Sequence, residues 1–233
     1  VRFFMKRFIP ALRLWDIASA NFVDRFIANS GYVAKRIRRY YNREAEVIYA
    51  PVPVERFFAR ERKPEDFYLF FGQITSYKRV DIALEACRVS GRKLAVAGAG
   101  MKKKTQKEYG KTGIIFFHGR VSDNEAADLY SRARALIFPG IEDLGLVPIE
   151  AAAAGCPVIA FREGGALDTV KENITGIFFD EQTPASLIGA LDRFEAMEER
   201  FRDREPFIRH AARFSKTEFQ NRIRAVAAGR QRI

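Results

Sequence analysis

Six short apolar runs, none broken by polar alternation, constrain this chain more than any other feature. They are residues 67–72 (FYLFFG), 93–98 (KLAVAG), 113–117 (GIIFF), 135–139 (ALIFP), 157–161 (PVIAF) and 176–179 (GIFF). A strand with apolar side chains on both faces must be covered on both, which is the condition of a parallel sheet. Helical patterns fall between the runs, at about 78–90, 102–110, 123–133, 146–154, 166–172 and 184–195. They supply the crossovers that parallel strands require. The expectation is an α/β fold: a Rossmann-like parallel sheet with helices on both faces.

The two ends of the chain read differently. Leu12 to Asn21 has a helical pattern, and RFIA at 25–28 reads as a short strand. Asn29-Ser30 offers an N-cap to a basic helix from Tyr32 to Tyr41, and a second strand covers 46–49. Pro51, Pro53 and the charges up to residue 66 read as a linker. At the other end, a charged helix is expected over 196–212. Ser215 and Glu218 have capping-box spacing before a last helix that runs to about Gly229.

Composition narrows the function classes. Only Cys87 and Cys156 are present, too few for a disulfide framework, and this favours a reducing, cytoplasmic setting. No apolar run approaches membrane-spanning length. The net charge of +11 sits at the ends. Residues 1–66 hold 14 Lys/Arg against 8 Asp/Glu and residues 197–233 hold 10 against 5, while 67–196 balance at 16 each. The neutral middle argues against nucleic acid. The basic flanks suit anionic headgroups at the inner face of a membrane, or equally a set of solvated helix faces.

The chemistry concentrates after the fourth run. Glu142 and Glu150 lie eight positions apart in EDLGLVPIEAAAAGCPVIAF, Glu142 in the loop and Glu150 in an Ala-rich helix that stops at Gly155. Amides at a helix start bind oxygen-rich ligands, and carboxylates accept hydrogen bonds from sugar hydroxyls. After the first run, Gly72-Gln73-Ile74-Thr75-Ser76-Tyr77-Lys78-Arg79 joins a glycine turn to cations at a helix start, which suits a diphosphate. Gly98-Ala99-Gly100 lacks the third glycine of a dinucleotide fingerprint, which disfavours a dehydrogenase. His118 reads as a structural strand-end residue and His210, in a charged segment, as exposed. Neither belongs to a metal-binding cluster.

The stretch EDLGLVPIEAAAAGCPVIAFREGGALDTV resembles the E-x7-E signature of the retaining glycosyltransferases of family 4, which have the GT-B fold, and especially their mannosyltransferase-like members. The resemblance implies a hexosyltransferase that takes a nucleotide-diphospho-sugar such as GDP-mannose and transfers its hexose with retention to a lipid-linked or saccharide acceptor, as in polysaccharide biosynthesis. It implies that Glu142 and Lys78 act in catalysis, Glu142 steering the hexose and Lys78 the leaving phosphates, with Glu150 on the ribose. Gly72, Gln73, Arg79, Gly119, Val121, Asp143, Leu144, Gly145, Leu146 and Val147 complete the donor contacts it implies. Gln73 stands where the family has an arginine, so Arg79 is the candidate to compensate. Leu144 stands where the family often has phenylalanine. No DxD motif occurs, and no metal or other cofactor is implied. The resemblance further divides the chain into a remnant of the acceptor-side domain (1–50), a donor-binding domain (51–205) and a C-terminal helical segment (206–233). It makes the chain a fragment that binds donor with little transfer of its own. Two other readings stay open: a sugar-nucleotide epimerase or phosphorylase of the same fold, and a noncatalytic module for nucleotide sugars or lipid phosphates.

Overall fold

The computed structural model describes residues 2–58 and 60–229. In chain order its elements are α1 (Arg2–Ala20), β1 (Phe26–Ala28), α2 (Gly31–Tyr41), β2 (Ala45–Val47), α3 (Glu55–Phe58), β3 (Tyr68–Phe71), α4 (Val80–Ser90), β4 (Leu94–Ala97) and α5 (Lys103–Gly110). They continue with β5 (Ile115–Gly119), α6 (Asp123–Arg132), β6 (Leu136–Phe138), α7 (Leu146–Ala153), β7 (Val158–Phe161), α8 (Ala166–Thr169), β8 (Gly176–Phe179), α9 (Pro184–Met197), α10 (Glu205–Ala212) and α11 (Lys216–Ala227).

Strands β3 to β8 form one six-stranded sheet in the order β5-β4-β3-β6-β7-β8, every neighbouring pair parallel. Each expected strand is therefore present, and the α/β parallel fold stands. All residues of β4, β6 and β8 are buried, as strands covered on both faces must be. The edge strand β5 alone alternates, with Phe116 half exposed. Helix α4 packs against α9, and α7 against α10. The order reverses between β3 and β6, where the chain leaves the first half of the sheet and starts the second. In doubly wound sheets that reversal opens a crevice at the carboxyl ends of the strands.

Helix ends follow local chemistry. Ser122 and Glu125 form a complete capping box at α6. At α11 only half of the expected box forms. Ser215 Oγ accepts from the Glu218 amide, but the Ser215 amide already donates to Ala212, and the Glu218 carboxylate takes Arg222. The helix expected over 166–172 shrinks to α8, because Lys171, Asn173 and Thr175 close a turn of their own. The helix expected over 196–212 breaks before α10. Pro206 has no amide proton and fits only a helix's first turn, so α10 starts there afresh.

Two expectations need correcting. The segment 51–66 is no free linker: Val52, Val54 and Phe57 are buried in the core, and the Val52 amide donates to Phe214. His210 is buried, with Nε2 2.9 Å from the Thr169 carbonyl and its ring against Phe214. Loss of hydration pushes its pKa below the ordinary value, although the Thr169 carbonyl pulls the other way.

Strands β1 and β2 form a separate two-stranded parallel sheet beside α2. The last helix reaches it. Arg222 donates to the Val47 carbonyl and Arg25 to that of Val226, each at 3.3 Å.

Candidate functional site

The two loops that flank the sheet reversal lie against each other. After β3, the chain turns at Gly72 and runs through a single 3-10 turn, Ser76–Lys78. After β6, it passes Gly140 and Glu142 before α7 begins. A side chain on Gly140 would put its Cβ 2.7 Å from Lys78 Cα, so only glycine lets the loops approach this closely. From this contact Lys78 Nζ donates to Glu142 Oε1 at 2.7 Å, with 12% of the lysine and 17% of the glutamate side chain exposed. Sixty-four residues apart in sequence, the two groups most strongly implicated by it form one ion pair.

The Glu142 loop is braced from behind. The Gly165 amide donates to the Glu142 carbonyl at 2.8 Å, and a Cβ on Gly165 would fall 2.3 Å from the Leu144 carbonyl oxygen. The glycine pair after β7 is thus required by the backbone of the site loop. Gln182 donates to the Pro139 carbonyl and accepts from Arg79, tying the other side of the loop.

Glu150, on α7, lies deeper. Desolvation raises its carboxyl pKa; the Tyr130 hydroxyl, donating to Oε2 at 2.9 Å, and the charges of Lys78 and Arg56 oppose this, and Asp123 adds to the rise. Glu150 therefore feels the lysine that Glu142 holds. Of the two acids, Glu142 lines the cleft at this loop and Glu150 does not. The first-turn amides of α7, at Leu146 and Val147, have no partner inside the helix, while Pro148 contributes none. A cleft of about 500 Å³ opens here, lined by Tyr77 and residues 141–146 on one side and by Asn29 and Ala50 on the other.

The remaining sequence-derived candidates are dispersed. Asp143, Leu144, Gly145 and Leu146 line the cleft, with Leu144 buried. Val147 is buried beneath the loop. Gln73 is exposed and is not among the residues that line the cleft. The Arg79 guanidinium engages Asp81 and Gln182, whereas Lys78 pairs with Glu142. Gly119 ends β5, two strands away from β3, and Val121 lines a different cleft with His118 and Asn124. Among the described residues, no group of three His, Cys, Asp or Glu side chains is arranged to hold a metal ion.

Of the other contributors, Tyr130 and Arg36 carried no sequence signal, while Asp168 lies in the GGALDTV segment of the family-like stretch, which the resemblance sets at the border of the site. Tyr130 reaches Glu150 across twenty residues. Asp168 accepts from the Gly31 amide at 2.9 Å and from the Tyr49 hydroxyl at 3.3 Å, which fixes the start of α2 beside the cleft. Arg36 on α2 donates to Asp143 at 2.7 Å.

The chain is 32% identical over 206 residues to a D-inositol 3-phosphate glycosyltransferase of Streptomyces bingchenggensis, covering 74% of this chain and 45% of that protein. Against the protein of the same name from Streptomyces griseus it is 28% identical over 232 residues, covering 79% and 49%. The chain thus spans about half the length of the curated relatives it matches. Among solved structures, a sucrose-phosphate synthase from Thermosynechococcus elongatus superposes with a TM-score of 0.81 at 21% identity, over 93% of this chain and 61% of that one. HepE from Anabaena, solved with UDP, superposes with a TM-score of 0.76 at 16% identity, over 89% and 64%. These likenesses establish the GT-B type of fold. The profile of the family described as glycosyl transferases group 1 matches residues 52–214, most of the chain and both site loops, and to that family the chain belongs.

Proposed function

We propose that this chain carries the donor half of a retaining hexosyltransferase that uses a nucleotide-diphospho-sugar, with a mannose-like hexose and GDP as the leaving nucleotide. The observation that supports this best is the Lys78–Glu142 pair at the sheet reversal, with Glu150 on α7 within electrostatic reach of the same lysine. Without ligand, lysine and acid neutralise each other. An ammonium has three donors and a carboxylate two oxygens, so each can keep the other and still take a substrate group. Lys78 would take a diphosphate oxygen and Glu142 a hexose hydroxyl. Glu150, an acceptor when ionised, would take the ribose.

As the glycosidic bond to the diphosphate lengthens, negative charge grows on the departing oxygens and positive charge on the sugar ring. Lys78 and the first-turn amides of α7 meet the first charge, and the carboxylates favour the second. No metal is needed in this scheme. The acceptor would enter from the side of Asn29, Ala50 and α2 and attack the face the diphosphate leaves, which preserves the configuration. Transfer is proposed for the whole protein, and donor binding for this chain.

Titration calorimetry with GDP, UDP and their hexose conjugates tests the reading. Binding in the micromolar range, tighter for a nucleotide sugar than for free hexose, is the expected result. Absence of heat with every nucleotide at millimolar concentration would overturn the site.

A further inference from the structure

Tyr130 is fully buried on α6, outside the sequence motifs but packed on Phe71, which leads into Gly72. Its ring is held between Phe57, edge-on at 5.8 Å, and Phe71, tilted at 5.2 Å. Phe57 comes from the segment 51–66 and Phe71 from the end of β3. Three separate parts of the chain thus fix a ring whose hydroxyl has one task, donation to Glu150 Oε2 at 2.9 Å. Burial holds the phenol pKa well above its ordinary value, so the hydroxyl stays a donor wherever the protein is folded.

The consequence for Glu150 is geometric. A carboxylate on a long side chain can rotate and present either oxygen or both. With Oε2 tied to a group that cannot move, the plane of the carboxylate is set and Oε1 remains for a ligand. We propose that Tyr130 is a positioning residue for ribose recognition: by holding Oε2 it aims Oε1 at the paired hydroxyls and gives the cleft its preference for a ribonucleotide. This rests on the donor-site reading above. It also gives the buried aromatic cluster a role beyond packing, since Phe57 and Phe71 hold the ring that holds the acid.

The test is a comparison of two ligands, GDP and 2′,3′-dideoxy-GDP, on wild type and Tyr130→Phe, by calorimetry across pH. The wild type should prefer GDP by about tenfold, the ordinary worth of hydrogen bonds to a charged group. In Tyr130→Phe that preference should fall toward unity, with affinity for the dideoxy ligand unchanged. A second readout separates positioning from packing. The charged and titratable groups facing Glu150 are Tyr130 and Asp123 from α6, Lys78 from the 3-10 turn and Arg56 from α3. Loss of the hydroxyl removes a stabiliser of the carboxylate, so the acid limb of GDP binding should move to higher pH.

Equal loss of both ligands, or an unchanged preference, would overturn the proposal. Should Tyr130→Phe fail to fold, Phe57→Leu loosens the ring without touching either polar group. A reduced GDP preference there supports the role, and an unchanged one refutes it. A wild type that binds neither nucleotide overturns the donor-site reading itself. A wild type that binds both equally refutes only the claim about ribose.

Discussion

The two ends of the six-stranded sheet carry opposite solutions to the same problem of placing charge beside a core. At the amino ends, Glu195 is saturated: it accepts from Tyr68 at 2.7 Å, from Arg92 through both oxygens at 2.8 Å and from Arg134 at 3.3 Å. Arg92 also holds Asp192, and Arg134 also holds Glu198. At the carboxyl ends a single lysine faces two acids, and glycines close the backbone around it. The larger cleft, about 680 Å³, lies at the amino ends, lined by Glu65, Asp66, Arg134 and Arg204, against about 500 Å³ at the carboxyl ends. Among the described residues each end keeps one buried side-chain polar atom without a partner, Arg204 Nε and Thr75 Oγ1, so orphaned atoms do not distinguish them. Charge matching does. Glu195 is held by three partners, whereas the single Lys78–Glu142 bond leaves the ammonium further donors and the carboxylate a second oxygen for a ligand.

The largest effect that follows is at the carboxyl end. Lys78→Ala should weaken GDP binding about 100-fold, the loss of a charge-assisted contact to a diphosphate in a partly dry site. Calorimetry reads it directly, and a loss below about threefold would mean the diphosphate lies elsewhere.

The amino end should answer to stability alone. Glu195→Gln breaks a network of one acid, two guanidiniums and a phenol, at a cost of about 2–3 kcal/mol in urea melts, with GDP affinity unchanged. Its pH signature is also distinct. Arg92 lowers the Glu195 carboxyl pKa to about 2, helped by Tyr68 and Arg134 and opposed by desolvation. The unfolded chain takes up the proton first as the solution is acidified. The stabilisation is therefore present above the ordinary carboxylate value and is lost as pH falls toward about 2. Glu150 has the reverse sign, because its raised carboxyl binds a proton in the folded state first and costs stability as pH rises through the window above the ordinary value. Glu195→Gln should flatten the acid limb of the melting profile, and Glu150→Gln should not.

How much of this the sequence disclosed depends on the range of the interaction. The strands were legible because burial on both faces leaves an unbroken apolar run, a signal carried by each segment alone. Lys78 and Glu142 were legible through their flanking glycines and the eight-residue spacing to Glu150. The strap at 51–66 was not, since its prolines and charges imitate a linker. Its buried positions, Val52, Val54 and Phe57, mark a core-facing stripe too short to read as periodic. His210 was hidden by charged neighbours, although Phe207, Ala211 and Phe214 share its face and are buried with it. The link from Tyr130 to Glu150 depends on how α6 and α7 come together, and no local pattern encodes that.

The smallest effect sharpens the comparison most. Arg36 and Asp143 join α2 to the site loop at 2.7 Å, but their side chains are 51% and 55% exposed. An ion pair half in water gains little Coulomb energy against the ordering of two flexible side chains, and it is screened by salt. Arg36→Ala should therefore cost less than about 1 kcal/mol, less still at high ionic strength, and leave GDP affinity within about twofold. The attachment of α2 would instead rest on Asp168, whose carboxylate takes the Gly31 amide and the Tyr49 hydroxyl in a partly buried setting. If Arg36→Ala instead weakened GDP binding tenfold or more, the guanidinium would be leaving Asp143 for the diphosphate. The carboxyl end would then bring two cations to the ligand, and the contrast between a saturated acid at one end and a singly bonded pair at the other would no longer explain the site.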